Sequence, residues 1–294
     1  MQQLALQSPA EAEVAQRWFH GRTNFRLRNE PINPALYGVE PVTYADAKAF
    51  VVAHHYSKSF SPCIQSFGLF RVRSSWQPSE LVGVATFAPA SNPGSITRWS
   101  GLPYEAGAEL ARFVLLDECE GNAETWFLAR ALRGFKSLHP LVQVVLSYSD
   151  PVPRTCFDGR VVFPGHTGGI YAASNALYLG RASPKVQLLA PDGRALANRV
   201  ISKLRNGEIG RRYAERTLAD FAGLTRGPEE GPGAFADRAV AALRPQRHPG
   251  NHLFAFALAA DRREKFRTLN LPRLREHADR AGLVPKRPDR VGLS

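Results

Sequence analysis

Ionisable and hydroxyl side chains directly follow one apolar run of the sequence. Residues 141–146 are apolar and predict a buried strand, and Ser147, Tyr148, Ser149 and Asp150 come next. In α/β proteins, ligands bind beyond the carboxyl ends of strands, where loops hold polar groups on a rigid scaffold. A carboxylate there can orient an amine or take its proton, so Asp150 is the leading candidate for a general base or a metal ligand. The structural alternative is an Asp-Pro turn that only ends the strand.

A glycine-rich segment downstream supplies a second group of candidates. Gly165 and His166 open it, and a short helix is predicted from Ile170 to Leu179, ended by Gly180. His166 is a candidate ligand or base, and its alternative role is a hydrogen bond within the loop. We expect substrate contacts from polar side chains of these two segments and of the segment after the first predicted helix: Ser57, Tyr148, Ser149, Tyr171, Ser174 and Asn175.

Two more candidates stand earlier in the chain. Tyr56 follows a predicted helix over 44–55, and its phenol either bonds an incoming group or packs as a buried aromatic. Arg112 lies in the middle of a predicted strand over 109–117. A buried guanidinium needs an anionic partner, which here is Glu109, Asp150 or a ligand phosphate.

The elements that position these residues predict an α/β fold, because strands and helices alternate along the chain. Four further strands are predicted, over 67–72, 81–87, 186–189 and 252–258. A loop is predicted over 89–103. The strongest helix is predicted over 123–138, and its apolar side comprises Trp126, Phe127, Ala131, Leu132 and Phe135. No apolar run approaches the roughly 20 residues of a membrane span, so we expect no membrane partner.

Positive charge is concentrated in the last third of the sequence. The net charge is +12 and the isoelectric point is about 10.0. Residues 1–184 hold 16 Lys and Arg against 14 Asp and Glu, a net +2, whereas residues 185–294 hold 22 against 12, a net +10. An uncompensated basic surface favours a polyanionic partner, most often nucleic acid. The alternative explanation is a genome composition that favours Arg and Ala.

Composition divides the chain into four predicted regions: an N-terminal arm (1–40), a catalytic domain (41–194 and 251–270), a basic helical insertion (195–250) and a basic tail (271–294). The insertion is predicted to lie between the last two strands of one sheet. Its DNA-binding candidates are Arg199, Lys203, Arg205, Arg211, Arg212 and Arg216. A second basic cluster comprises Arg262, Arg263, Lys265 and Arg267.

Cysteine usage favours a reducing compartment. Cys63, Cys119 and Cys156 are an odd number without metal-binding spacing, so a disulfide framework is not expected. The first 19 residues lack the continuous apolar core of a secretory signal. We therefore expect a cytoplasmic protein.

The order of the elements resembles the GNAT acyltransferase architecture, a mixed, mostly antiparallel central sheet flanked by helices. In that fold, a turn after the central strand presents helix amides to the pyrophosphate of coenzyme A. The matching turn here, Glu118–Thr125, departs from the family's usual pattern. The resemblance implies that acetyl-coenzyme A or a related acyl-coenzyme A binds at Gly121, Asn122, Glu124 and Thr125.

Five segments in a fixed order make the resemblance more specific, and together they look like the Mom family of phage DNA-modification proteins. They are His55–Lys58, Glu109–Phe113, Asn122–Phe127, Ser147–Pro151 and Gly165–Asn175. The resemblance covers about residues 44–182, with a weaker echo at 252–267. It implies an enzyme that converts adenine in double-stranded DNA to the N6-carbamoylmethyl form, which shields phage DNA from host restriction in the bacterial cytoplasm. It also implies iron, for which the sequence assigns no ligands.

On this interpretation the catalytic residues are Tyr56, Arg112, Asp150 and His166, with adenine N6 as the nucleophile near Asp150. Adenine N6 is hard to reach inside a duplex, so such an enzyme is expected to flip the base and stack it on an aromatic side chain. The candidates for that stacking role are Tyr148, Tyr171 and Trp99.

Two other functions are consistent with the same residues. One is a GNAT-type N-acetyltransferase that acts on a protein, a tRNA or a small amine, and a tRNA substrate would also explain the basic surface. The other is a non-catalytic DNA-binding protein on the same scaffold, which the departure at Glu118–Thr125 favours. Salt-dependent duplex binding is expected of both DNA-directed functions and does not separate them.

Overall fold

A seven-stranded sheet organises the part of the chain that the structure describes. The structure is a computed structural model, and it describes residues 14–19, 22–27, 31–72, 76 and 78–259. The strands of these residues, in chain order, are β1 (Val14–Phe19), β2 (Arg22–Leu27), β3 (Tyr37–Val42), β4 (Gln65–Arg71), β5 (Glu80–Ala88), β6 (Gly107–Leu115), β7 (Val144–Ser149), β8 (Arg154–Thr155), β9 (Val161–Phe163), β10 (Leu177–Arg181), β11 (Lys185–Leu189), β12 (Ala195–Leu196), β13 (Arg244–His248) and β14 (His252–Ala257).

The helices pack on both faces of this sheet or belong to the segment between its last two strands. Over the same residues they are α1 (Tyr44–His54), α2 (Pro93–Ser100), α3 (Ala123–Leu138), α4 (Gly169–Ala173), α5 (Asn198–Arg205), α6 (Arg211–Ala222) and α7 (Pro232–Ala241). The predicted fold class, a mixed α/β protein with a mostly antiparallel sheet flanked by helices, is confirmed.

The seven strands lie in the order β10-β14-β7-β6-β5-β4-β3, and one neighbouring pair in that sheet is parallel. That pair is β6 and β7, which are in register from Gly107 and Val144 to Leu110 and Ser147. Both strands continue beyond the end of this ladder, and β6 also shifts register against β5 next to Thr86. Because the carboxyl ends of β6 and β7 are not bonded to each other, they leave room for side chains between them.

Alternation along β5 and β7 assigns the helices to the two faces, because successive strand residues point in opposite directions. On β5, Ala85 packs in the core cluster of α3, whereas Val84 packs under α1. On β7, Val145 belongs to the α3 side, whereas Leu146 packs with the residues of α2. Helix α3 therefore covers one face, and α1 and α2 cover the other.

Helices α1 and α3 follow from local sequence, and both predictions are confirmed to within one residue. Thr43 caps α1 by accepting a hydrogen bond from the Asp46 amide, as Ser and Thr caps commonly do. In α3, Phe135 stacks on Phe87 of the sheet with ring centroids 4.2 Å apart. The apolar stripe of α3 thus supplies the main core of this face.

Three other predicted elements are wrong at their boundaries or in type. The strand predicted over 141–146 is shifted towards the carboxyl end, because Leu141 is 81% exposed in a turn and β7 begins at Val144. The loop predicted over 89–103 contains α2, which Asn92 caps. The helix predicted over 170–179 stops at Ala173 and the chain enters β10 instead. Strand pairing with β14, which is distant in sequence, overrides the local pattern there.

The chain between β10 and β14, residues 182–251, leaves the main sheet and forms a separate unit. This unit contains the predicted insertion over 195–250 and is called the insertion from here on. Strands β12, β11 and β13 make a three-stranded sheet, and α5, α6 and α7 pack around Leu218 and Phe235. The predicted strand over 186–189 is confirmed as β11, but it belongs to this small sheet. The domain boundaries suggested by composition remain predictions.

The return of the insertion to the main sheet requires a glycine. Gly250 has φ +98, and a Cβ atom at this position would overlap the carbonyl oxygen of Ala182. Both the backbone conformation and the close approach exclude a side chain. The start and the end of the insertion are therefore held against each other.

Candidate active site

A cleft with a cavity volume of about 1260 Å³ lies between the main sheet and the insertion. Four pieces of chain form its walls: the end of α1 with the loop after it, the hairpin of β8 and β9, the turn between β11 and β12, and one side of α6. The residues that line it are His54, Tyr56, Ser57, Lys58, Ser59, Arg154, Arg160, Val161, Val162, Phe163, Asp192, Gly193, Arg194, Ala195, Tyr213, Arg216, Thr217, Asp220 and Phe221. Five of these side chains are Lys or Arg and two are Asp, so the cleft favours an anionic ligand.

Tyr56 belongs to an aromatic stack in the wall of the cleft. Its ring stacks on Phe163 with centroids 4.1 Å apart and an interplanar angle of 21°, and His55 lies 4.2 Å away on centroids. The guanidinium carbon of Arg154 is 4.5 Å from the Phe163 centroid and 5.3 Å from that of Tyr56. Burial raises the pKa of the Tyr56 phenol, although Arg154 and Arg112 oppose the change. The phenol is therefore protonated at neutral pH and is a hydrogen-bond donor.

Arg112 reaches the same region from β6 and bonds only to neutral acceptors among the described residues. Its Nε donates to the Ser59 carbonyl at 2.9 Å, Nη2 to Ser59 Oγ at 3.1 Å and Nη1 to the Ala111 carbonyl at 2.6 Å. Burial lowers the pKa of Arg112, and Tyr56 and Glu109 oppose this. Neither of its predicted carboxylate partners bonds to it: Glu109 accepts hydrogen bonds from Ser91 instead. The positive charge of Arg112 is therefore not neutralised by a bonded carboxylate in this part of the chain.

Asp150 is buried at the end of β7, and both of its carboxylate oxygens accept hydrogen bonds. Arg154 Nη2 donates to Oδ2 at 3.2 Å, and the Val152 amide donates to Oδ1 at 3.0 Å. His248 Nε2 lies 2.8 Å from the same Oδ1. The Gly250 amide donates to His248 Nδ1, which places the ring proton on Nε2, so His248 donates to Asp150. The carboxylate thus joins the hairpin to the insertion and does not contact Arg112.

His166 lies next to Asp150 in the folded chain, although they are 16 residues apart in sequence. Its amide donates to the Asp150 carbonyl at 2.7 Å. Burial lowers the pKa of the His166 ring to about 4, His252 and Arg154 lower it further, and Asp150 opposes them. The ring is therefore neutral at pH 7 and has one nitrogen with a lone pair.

His55 is a second neutral imidazole at the site and is absent from the predicted catalytic residues. Burial lowers its pKa first of all, and Arg112, His166 and Arg154 add to the effect. The Ser57 amide donates to His55 Nδ1 at 3.1 Å, so the ring proton is on Nε2. The segment His55–Lys58 carries part of the family resemblance, but nothing in its sequence distinguishes the histidine from a packing residue.

The four predicted catalytic residues lie in one region. The His166 amide bonds the Asp150 carbonyl, and Arg154, which bonds Asp150, lies over the Tyr56 ring. Besides burial, Asp150 raises and Arg112 lowers the pKa of the Tyr56 phenol. Sequence reasoning missed two further residues of this region, Arg154 and His248. Arg154 is four residues from Asp150, a spacing that could have drawn notice, whereas His248 is 98 residues away and leaves no local signal.

The predicted substrate-contacting residues separate into two groups. Tyr148 packs beside Ile96 and Trp99 on the α2 face, whereas Ser149 points to the α3 face with Tyr171. Trp99 and Tyr171 are both buried in core clusters. The structure therefore does not bring Tyr148 together with Ser149 and Tyr171, and of the six residues only Ser57 lines the cleft.

Helix α4 holds the remaining predicted contacts on the α3 face. Burial raises the pKa of Tyr171 to about 12, and its ring packs edge-on against Phe254 and Phe256. Ser149 Oγ and Ser174 Oγ are buried and have no hydrogen-bond partner within the described residues. Asn175, with φ +62, ends α4. These side chains therefore lie on the α3 face of the sheet and outside the lining of the cleft.

The predicted cofactor turn before α3 is occupied by contacts from within the chain. Asn122 Oδ1 accepts a hydrogen bond from the Ile32 amide at 2.8 Å, and Thr125 Oγ1 donates to the Asn122 carbonyl at 3.0 Å. Glu120 accepts a 2.6 Å hydrogen bond from the Tyr37 hydroxyl, which together with burial raises the pKa of Tyr37. Gly121 is buried, and Glu118 and Glu124 flank it with further negative charge. Carboxylates at a helix N-terminus compete with a phosphate for the same positive end of the dipole.

The predicted DNA-binding residues differ in how their charge is compensated. Arg199 bonds Glu208, and Arg205 bonds Asp237. Arg216 lines the cleft. The other three, Lys203, Arg211 and Arg212, form no salt bridge with any described residue, and neither does Arg216. The second predicted basic cluster, from Arg262 to Arg267, lies outside the described residues.

The described residues contain no group of three or more His, Cys, Asp or Glu side chains that could hold a metal ion. None of the helices that the structure describes is both long and apolar enough to cross a membrane.

Comparison with known proteins bears on the whole arrangement. No curated protein matches the chain. A family model, the Mom protein family, matches residues 36–222, which include the loop after α1, Arg112, Asp150, His166 and α6. The matched span is more than half of the chain and contains all five segments recognised from sequence, so the chain belongs to the Mom protein family.

Proposed function

We propose that this protein modifies the exocyclic amine N6 of adenine in double-stranded DNA and that the product is N6-carbamoylmethyladenine. Membership of the Mom family, whose proteins modify adenine in phage DNA, supports a DNA-modifying role. The proposed benefit is protection of phage DNA from host restriction enzymes, in the cytoplasm of the host.

One observation carries the proposal for this chain: a basic cleft has the Tyr56–Phe163 stack in its wall. Adenine N6 must leave the duplex before a protein group can reach it, and a flipped base is commonly held against aromatic rings. The cleft has aromatic side chains for the base, and Lys58 and Arg216, which form no salt bridge with a described residue, for the flanking phosphates. The other cations of its wall are already bonded: Arg154 to Asp150, Arg160 to Asp158, and Arg194 to both Asp192 and Asp220. The aromatic residues in that wall replace Tyr148, Tyr171 and Trp99 in the proposed stacking role, since those three pack in the core.

The proposed chemistry needs a group that removes a proton from N6 when the new N6–carbon bond forms. We assign this role to His166, because its ring lies edge-on to Phe163 of the stack with centroids 6.0 Å apart and is neutral at pH 7. Tyr56, which stays protonated, donates a hydrogen bond to the base or to the incoming group. The proposed donor is a molecule whose carbamoylmethyl CH2 carbon carries an anionic leaving group. N6 attacks that carbon, the bond between the carbon and the leaving group breaks, its electron pair departs with the leaving group, and His166 takes the N6 proton.

We propose that Asp150 acts mainly through Arg154. Both carboxylate oxygens already accept hydrogen bonds from Arg154, His248 and the Val152 amide. A carboxylate in that state holds its partners in place and has less capacity to take a proton from a substrate. Arg154 is thereby fixed over the aromatic stack, and Arg112 remains the candidate for the negatively charged part of the donor.

The donor that the family resemblance implies, an acyl-coenzyme A, does not fit the turn before α3. Glu118, Glu120 and Glu124 surround that turn, and the Asn122 side chain is bonded to the Ile32 amide. Carboxylates close to the turn and an Asn122 side chain already bonded within the chain make it a poor setting for a pyrophosphate, so no step is assigned to acyl-coenzyme A there. The described residues contain no group of three side chains that could hold a metal ion, so no ligands are assigned to iron either.

The decisive experiment is mass spectrometry of nucleosides from plasmid DNA co-expressed with the protein. We expect a modified deoxyadenosine with the mass of the N6-carbamoylmethyl form. Tyr56→Phe, which keeps the ring stack, should reduce its amount strongly. The matched control is Tyr104→Phe, because Tyr104 lies just before β6, at the opposite end of that strand from the cleft.

The outcome distinguishes the candidate functions. Only ordinary deoxyadenosine in the DNA, with wild-type protein present, would exclude the proposal. Acetyl transfer to a protein, a tRNA or a small amine in the absence of DNA would instead support an acetyltransferase. Duplex binding that survives Arg112→Ala and Asp150→Ala, without modified nucleoside from wild type, would support a non-catalytic DNA-binding protein.

A further inference from the structure

The turn between α5 and α6 presents an apolar side chain fully to solvent. Ile209 is 97% exposed, more than any other large apolar side chain of the described residues. An isolated exposed isoleucine is common on protein surfaces and needs no explanation by itself. Ile209 differs from such a residue because hydrogen bonds hold its turn in one conformation and because positively charged side chains surround it.

The turn is held by hydrogen bonds on both sides of Ile209. The Glu208 amide donates to the Lys203 carbonyl at 3.0 Å, and the Arg211 amide donates to the Glu208 carbonyl at 3.0 Å. Gly207 and Gly210 have φ +65 and +87, left-handed conformations that other residues adopt at a cost. The exposed position of Ile209 is therefore built into the backbone.

The single carboxylate in the turn is also neutralised. Arg199 bonds both oxygens of Glu208, with Nη1 2.9 Å from Oε1, and Asn206 donates to Oε1 at 3.3 Å. These contacts fix the Glu208 side chain away from the tip and lower its pKa. What surrounds Ile209 is thus a surface on which the unbonded charges are positive.

Those positive charges belong to Lys203, Arg211, Arg212 and Arg216, none of which forms a salt bridge with a described residue. Uncompensated arginines and lysines around an apolar tip are complementary to a duplex, whose backbone is anionic and whose stacked bases are apolar. Helix α6 leads from this tip into the wall of the cleft, since Tyr213 and Arg216 line it. Ile209 stands two residues before the start of α6 at Arg211.

We propose that Ile209 is a wedge that enters the DNA stack and keeps the target adenine flipped into the cleft. The proposal rests on the proposed function and deepens it by naming the residue that opens the duplex. DNA-bending proteins use isoleucine, leucine and phenylalanine side chains in this way, and unstacking a base step costs a few kcal/mol. Ile209 fills the space that the flipped base leaves, while Arg211 and Arg212 bind phosphates beside it.

The test uses the full chain and a duplex with 2-aminopurine at the position of the target adenine. Fluorescence of 2-aminopurine rises when the base leaves the stack. We expect Ile209→Ala to reduce this rise about tenfold at saturating protein, and Ile209→Leu to retain most of it. The matched control is Leu141→Ala, which removes another highly exposed apolar side chain (81%) from the turn before β7, at the opposite end of that strand from Asp150.

A second substrate separates a wedge from a general defect. When the target base lies opposite an abasic site, part of the unstacking cost is already met, so flipping by Ile209→Ala should return to near the wild-type level. If Ile209→Ala flips the paired target as well as Leu141→Ala does, or stays equally defective on the abasic duplex, the wedge is refuted. Loss of binding to vesicles of anionic phospholipid with unchanged flipping would assign Ile209 to a membrane surface instead.

These measurements remain informative if the proposed reaction is wrong. Wild-type protein that flips 2-aminopurine but leaves no modified deoxyadenosine in co-expressed DNA would refute the reaction and leave the wedge standing. Wild-type protein that modifies DNA without any fluorescence rise would refute the wedge and leave the reaction standing.

Discussion

At the scale of single residues, the site depends on the Arg154 guanidinium, which a carboxylate and an aromatic ring hold in place. Arg154 bonds Asp150 on one side and lies 4.5 Å from the Phe163 ring centroid on the other. Cation–π contact and a charge-assisted hydrogen bond are both favourable, and together they fix the planar group. Asp150 is in turn fixed by His248, so a residue of the insertion determines the geometry of a residue of the main sheet.

Replacement of His248 tests this chain of contacts. We expect His248→Ala to lower the free energy of unfolding by about 1–3 kcal/mol, because the buried Asp150 Oδ1 loses one of its two donors and keeps only the Val152 amide. His248→Gln, whose amide can still donate to Asp150, should recover part of the stability and of the modified nucleoside. Urea unfolding and nucleoside mass spectrometry measure the two effects, and equal losses in both variants would contradict the assignment.

The neutral histidines make stability depend on pH. The pKa of folded His166 is about 4, below its usual value of 6.5, so between these values the unfolded chain binds a proton that the folded chain does not. Stability should therefore fall as the pH is lowered through this window, by up to about 1.4 kcal/mol per pH unit for each such group. His166→Asn should flatten the dependence of the urea midpoint between pH 6.5 and 4.5, and an unchanged slope would contradict this cause.

At the scale of elements, prediction from sequence succeeds where an element is specified by its own residues. The predicted ends of α3 match the observed ones, because one apolar stripe runs its full length. The sequence of β10 favours a helix, because its strand conformation depends on pairing with β14, which lies far along the chain. The same limit applies to the site: Tyr56, Arg112, Asp150 and His166 carry local signals, whereas the partnership of Asp150 with His248 exists only in the folded chain.

Gly250, at the point where the insertion rejoins the main sheet, should be needed for stability because of its backbone conformation. Gly250→Ala should destabilise the fold by about 3 kcal/mol or more, since a left-handed conformation and a clash with the Ala182 carbonyl add together. Gly233→Ala is the matched control, because Gly233 lies in α7 and a Cβ atom there would meet no other atom within 4 Å, so alanine should be neutral or slightly stabilising. Thermal unfolding of both variants gives the comparison, and similar melting temperatures would be unexpected.

At the scale of the whole molecule, the positively charged residues that form no salt bridge are distributed differently from the total formal charge. The predicted basic surface of the insertion contains Arg199 and Arg205, whose carboxylate partners Glu208 and Asp237 neutralise them. Within the described part of the insertion, unpaired positive charge is found around the start of α6, at Lys203, Arg211, Arg212 and Arg216. A sequence can give the total of +10 for residues 185–294, but only the fold shows which part of it is unpaired.

The salt dependence of duplex binding should reflect that difference. We expect Arg212→Ala to reduce the slope of log K against log salt concentration by about 0.9, the value for one lost phosphate contact. Arg205→Ala removes the same formal charge but one that Asp237 already neutralises, so its slope should change less. Fluorescence anisotropy across a salt series measures both slopes, and equal changes would show that pairing within the chain does not matter for DNA binding.

The adjacency of β10 and β14 means that the main sheet does not need the insertion for its connectivity. Arg181 and His252 are directly opposite each other in the antiparallel register, so the chain leaves and re-enters the main sheet at points about 5 Å apart. A two-residue hairpin turn spans such a distance. A short turn in place of residues 182–251 would thus preserve the strand order but remove His248, and with it the hydrogen bond that joins the insertion to Asp150.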